Sequence, residues 1–125
     1  MIRLTFVLLL VAGLSAQGPY KIGDGVSAPV PVYKTEPAYT QEAKDARIEG
    51  SIVLGIVVTV EGKVSEVRVL KTRLIQRDSG KEAPSDLGLQ EQAIKAVVAW
   101  KFKPGTKDGK PVAVAANVEM NFRLK

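Results

Sequence analysis

The stretch SIVLGIVVTVEGKVSEVRVLKT, residues 51–72, carries the plainest structural signal in the chain. Ile52, Leu54, Ile56, Val58 and Val60 alternate with Ser51, Val53, Gly55, Val57 and Thr59, the period of a strand with one buried face. Glu61-Gly62 supplies a turn, and Val67 and Val69 then stand against Glu66, Arg68 and Lys71. The pattern predicts a β-hairpin. Val64 is out of phase with Val67, so the second strand is expected to find its register only after the turn or through a bulge.

Downstream, RLIQRDSGKEAPSDLG (73–88) is polar and reads as the most mobile connection. In LQEQAIKAVVAWKF (89–102), Leu89, Ala93, Ala96, Val97 and Trp100 fall at helical spacing, and Ile94 and Val98 widen the stripe. This predicts a helix laid on one sheet face, with Trp100 as core filler. After an Asp108-Gly109 turn comes KPVAVAANVEMNFRLK (110–125). Val112, Val114, Ala116, Val118, Met120, Phe122 and Leu124 alternate there with polar or small residues, predicting a long final strand. Such a strand needs partners on both edges or protection of the open one.

Upstream, YTQEAKDARIEG (39–50) reads as a short helix. Thr40 caps it, Glu42 sits near the positive end of its dipole, and Gly50 stops it. Residues 17–38, QGPYKIGDGVSAPVPVYKTEPA, are rich in Gly and Pro without a period, and read as an extended lead-in. The expected architecture is α+β: a three-stranded antiparallel sheet with two helices packed on one face, in the order α-β-β-α-β.

The 125 residues, 46% hydrophobic, suit one domain. MIRLTFVLLLVAGLSAQ opens with Arg3, an apolar run from Leu4 to about Leu14, and the small pair Ser15-Ala16. A membrane span needs about 20 apolar residues, so residues 1–16 read as a secretory signal. The expected division is 1–16 signal, 17–38 lead-in and 39–125 domain, with export to the periplasm. There is no Cys for a disulfide or a lipid anchor. A net charge of +5 is mild, and no nucleic-acid partner is expected. Lys101, Lys103, Lys107 and Lys110 crowd one turn region, as a solvated loop or as a contact for an anionic envelope surface.

The chain has no His, which excludes Ser-His-Asp triads and imidazole metal sites; without Cys, thiolate chemistry goes too. The acids are scattered, and Asp24, Glu61 and Asp108 each precede a Gly, which is turn chemistry. No catalytic residue, metal or cofactor is expected.

Five segments in order resemble the C-terminal domain of TonB-type energy transducers: EPAYTQEAKDARIEG, the hairpin, GLQEQAIKAVVAWKFKP, DGKPVAV and NVEMNFRL. Trp100-Lys101-Phe102-Lys103-Pro104 is the most specific piece. The family's Pro after the Tyr is Thr40 here, and its Asp after the Leu is Gln90, so capping of the second helix shifts to Ser85 or Asp86. The resemblance implies that the last strand pairs with the first on one side. Its other edge takes an extended N-terminal segment of an outer-membrane transporter, along Val112, Val114, Ala116, Asn117, Val118, Glu119, Met120 and Asn121. Glu36, Pro37 and Tyr39 match the family segment that approaches the transporter. The family's transducers also carry a membrane helix and a Pro-rich spacer, so a tie to an inner-membrane motor complex is expected through another protein. The alternative is a structural envelope protein that forms a homodimer through the same edge or binds anionic wall material.

Overall fold

A computed structural model describes residues 18–125. The expected signal, 1–16, lies outside the described residues. The chain runs β1 (Tyr20–Lys21), β2 (Val30–Tyr33), α1 (Gln41–Asp45), β3 (Ile48–Val58), β4 (Val64–Gln76), α2 (Leu89–Val98), β5 (Lys101–Lys103), β6 (Thr106–Lys107), β7 (Lys110–Pro111) and β8 (Val114–Phe122).

The alternating residues of β3 make it the central strand. Ile52, Leu54, Ile56 and Val58 are all buried on the helix side, each worth about 1.5–3 kcal/mol of burial. It pairs antiparallel with β4 and with β8. The register of β4 shifts twice, leaving Ser65 and Leu70 without a partner. The first bulge answers the phase problem at Val64: with Ser65 skipped, Val64 and Val67 lie opposite Val58 and Ile56, both on the core face. The strand runs on to Gln76, so residues 73–76 belong to the sheet rather than to a loop. The connection after it is tied back by Gln76 N–H to Lys81 O, Ala83 N–H to Leu74 O and Arg77 N–H to Arg47 O.

The main sheet is not three-stranded and antiparallel. It has four strands in the order β1-β8-β3-β4, and β1 is parallel to β8. The expected α-β-β-α-β order is also incomplete, because β1 and β2 precede the first helix and β5 to β7 separate α2 from β8. Strands of two to four residues, broken by Pro and Gly, leave too little alternation to be read as period two.

Both helices lie on the sheet, α1 against β3 and α2 against β3 and β4. Thr40 Oγ1 accepts from Ala43 N–H at 3.2 Å, the expected cap. The helix ends at Asp45, however, and Gly50 does not stop it. Arg47 takes the left-handed turn at φ 57°, while Gly50 lies within β3, where a Cβ would meet the Arg73 carbonyl. In α2, Leu89, Ala93, Ala96 and Val97 are buried, whereas Val98 points to solvent. Asp86 Oδ2 accepts from Gln90 N–H at 2.8 Å, the shift in capping that Gln90 called for.

Candidate partner-binding edge

The parity of β8 decides what its outer edge offers. Side chains alternate between faces, and backbone N–H and C=O groups alternate between edges. Tyr20 N–H donates to Ala113 O at 2.9 Å, so odd-numbered residues of β8 face outward. Even-numbered residues turn inward, and Leu124 N–H beyond the strand reaches Glu49 Oε1 at 3.3 Å on the β3 side. β1 pairs only with Val114 and Ala115. From Ala116 to Phe122 the outer edge has no strand beside it. Among the described residues, nothing accepts from the outward N–H groups of Asn117, Glu119 and Asn121 or donates to their carbonyls.

The lead-in forms the far wall of this edge. After β1 the chain turns at Gly23–Val26, and Ser27 N–H binds Thr106 O at 2.9 Å. It returns as β2, antiparallel to β5. Trp100 then fixes the next residues: its Nε1 donates to Thr35 O at 2.9 Å, and Thr35 Oγ1 donates to Ala96 O at 3.1 Å. Lys34 Nζ lies 5.5 Å from the Trp100 ring centroid, within cation–π range. Between wall and edge lie two clefts. One, of about 260 Å³, is lined by Lys34, Thr35, Glu36, Pro37 and Trp100 against Glu119, Met120 and Asn121. The other, about 340 Å³, is lined by Ile22, Ala28, Pro29, Pro31, Lys34, Trp100 and Phe102 against Ala116 to Glu119.

The expected residues therefore divide. Ala116, Asn117, Val118, Glu119, Met120 and Asn121 lie along the open edge, and Glu36 and Pro37 face it across the cleft. Val114 is covered by β1, and Val112 precedes the strand with its N–H bound to Gly105 O. The run of alternating Val and Ala continues through both, so spacing alone could not mark where the edge closes. Tyr39 lies elsewhere: its hydroxyl donates to Ile48 O and its ring meets Phe122 edge-on at 5.5 Å. It braces the entry to α1. Lys34, Thr35 and Trp100 were not legible as site residues; an indole N–H that needs a partner once buried was the one available hint. Of the lysine cluster, Lys107 is turned onto the Tyr20 ring, 5.0 Å from its centroid.

Tyr39 carries a prediction. Burial, with the nearby Glu49 carboxylate adding to it and Arg77 opposing, raises its phenol pKa above the usual value. The neutral donor's contribution is intact below the unfolded value of about 10 and is lost as pH rises through the higher folded value. Tyr39→Phe is expected to cost about 1 kcal/mol at pH 7 and to flatten the loss of stability above about pH 10. Urea midpoints between neutral and alkaline pH would show both; a parallel alkaline limb in the variant contradicts the assignment.

Residues 35–124 match the sequence model of the family described as Gram-negative bacterial TonB protein C-terminal. The chain is 29% identical over 92 residues to Protein TonB of Vibrio cholerae, covering 74% of this chain and 33% of that protein. It is 30% identical over 93 residues to Protein tonB2 of Pseudomonas aeruginosa, covering 74% and 30%. The chain thus spans about a third of the length of the curated relatives it matches. A solution NMR structure of the Pseudomonas aeruginosa TonB CTD superposes with a TM-score of 0.57 at 22% identity, covering 84% of this chain and 93% of that one. That likeness shares the fold, and the sequence match over residues 35–124 settles the family: this chain belongs to the TonB C-terminal family.

Proposed function

We propose that this chain is a periplasmic, non-catalytic binding module that captures an extended N-terminal segment of an outer-membrane transporter by strand addition to β8, in support of transport across the outer membrane. The observation that carries the reading is the open edge from Ala116 to Phe122, with outward backbone groups at Asn117, Glu119 and Asn121 and a groove beside it. Strand addition draws affinity from such main-chain groups and specificity from the pockets next to them. Family membership supports the transporter as partner. Among the described residues no helix is long and apolar enough to cross a membrane, so coupling to an inner-membrane motor would pass through other segments or another protein.

Titrating the protein with peptides from transporter N-termini, followed by backbone amide NMR, tests this. Saturable shifts centred on Ala116–Phe122 are expected. Absence of those shifts, with lines that sharpen on dilution, would assign the edge to self-association instead.

A further inference from the structure

We propose that the outward face of the β2–β5 ribbon docks on an anionic phospholipid surface, with Val30, Val32 and Tyr33 entering the interface and Lys101 and Lys103 meeting the headgroups. The proposal goes beyond the strand-addition reading and does not depend on it.

Pairing sets the two faces of the ribbon. Val30 stands opposite Lys103, Pro31 opposite Phe102 and Tyr33 opposite Lys101, with Val32 the extra residue of a bulge. Residues directly opposed share a face, and successive residues alternate. Phe102 is buried and, with Pro31, lines the larger cleft beside β8. Lys101 and Lys103 therefore point the other way, to solvent, and Val30 and Tyr33 go with them. Val30 and Tyr33 are each 53% exposed. Val32 is 67% exposed, the highest value for a large apolar side chain among the described residues. Single exposed apolar residues are ordinary, but a contiguous group on one face marks an interaction surface. On the far edge of β5, Gly62 O accepts from Phe102 N–H at 2.8 Å and brings up the turn that carries Val60, itself 51% exposed.

Charge selects the occupant. Neither β2 nor β5 contains an acid, and Glu61 in the adjacent turn is balanced by Lys63. The face is apolar and cationic, so its complement is anionic and accepts apolar side chains. A second copy of the chain would bring the same lysines. A bilayer of anionic lipid meets both demands. Lysine stems lie along apolar surface while their ammonium groups reach the phosphates, and a tyrosine sets its ring in the interface with its hydroxyl in water. The β8 clefts open on the opposite face of the ribbon, so lipid and a partner strand do not compete.

The test uses the full chain with bicelles of phosphatidylglycerol and phosphatidylcholine in equal parts, doped with a paramagnetic lipid and followed by amide NMR. Residues 1–16 are common to every variant, so the place of the broadening and its change between variants read the ribbon. Broadening is expected at 30–33 and 101–103. It should fall at least about 10-fold in phosphatidylcholine alone and in the Lys101→Gln, Lys103→Gln double variant, the scale of two lysines at an anionic surface. Val32→Ser with Tyr33→Ser should lower it at least about 5-fold at unchanged charge. All four positions are exposed, and unchanged amide shifts in β3 and α2 verify the fold. Broadening that is equal in both lipids, or centred elsewhere, as at 107–110, overturns the proposal. So does an effect of the lysine variant with none of the Val32 and Tyr33 variant, which would leave the lysines as a contact for soluble polyanions.

Discussion

Gly62→Ala is expected to lower the unfolding free energy by about 3–4 kcal/mol, a large share of the 5–15 kcal/mol that holds a typical domain. Gly62 ends the β3–β4 turn at φ 81°, where an alanine pays about 1–2 kcal/mol. The larger cost is contact. A Cβ there would stand 2.0 Å from the Phe102 carbonyl oxygen. The two backbones must part, and the bond from Phe102 N–H to Gly62 O at 2.8 Å goes with them, at about 1 kcal/mol or more. Gly80 is the control: its φ is also positive, at 72°, but open space surrounds it. Gly80→Ala should therefore cost only about 1–2 kcal/mol. Urea unfolding of the two variants separates conformational from contact cost, and equal losses would mean the turn is free of Phe102. The contact also reaches the site, because Phe102 in β5 both holds β2 and lines the larger cleft.

What the sequence disclosed follows from how locally each feature is encoded. The strands β3 and β8 and the stripe of α2 each repeat over nine or more residues, long enough for burial to impose a visible period. The phase break at Val64 left either a late register or a bulge open, and the sheet takes the bulge, at Ser65. Gly50 shows the limit of turn chemistry: a glycine after a short helix reads as its stop, yet it is kept for the approach of the Arg73 carbonyl. The lead-in was the least legible part and matters most to the site. Its order comes from single long-range contacts, namely Tyr20 to Ala113, Ser27 to Thr106 and Trp100 to Thr35, and none of them repeats along the chain. The resemblance located the edge at β8, but only the pairing of Tyr20 and Lys21 shows that it opens at Ala116 rather than at Val112.

Glu119→Pro is expected to weaken partner binding by at least about 10-fold while the fold survives, and Val118→Pro, one residue away, to destroy the fold. The contrast comes from parity alone. The N–H of Glu119 points outward, where the described residues provide no acceptor; proline there removes a donor the sheet does not use, which edge strands tolerate. The N–H of Val118 points inward to β3 opposite Leu54. Proline there breaks a ladder bond in the middle of the sheet and drives its ring toward the central strand, leaving a buried backbone group unpaired at about 1–3 kcal/mol before the clash is added. For Glu119→Pro the domain should lose no more than about 1.5 kcal/mol, on the scale of ordinary backbone substitutions. An added strand would nevertheless lose one main-chain bond and find a ring in its path. Together these amount to about 10-fold in Kd at the least, since one bond is worth about 1 kcal/mol before the steric term. Thermal melts and peptide titrations on both variants decide the matter. If Glu119→Pro binds transporter peptides as the unmodified protein does, partners do not enter along β8. If it unfolds like Val118→Pro, the outward assignment of the odd-numbered residues is wrong, and the open edge with it.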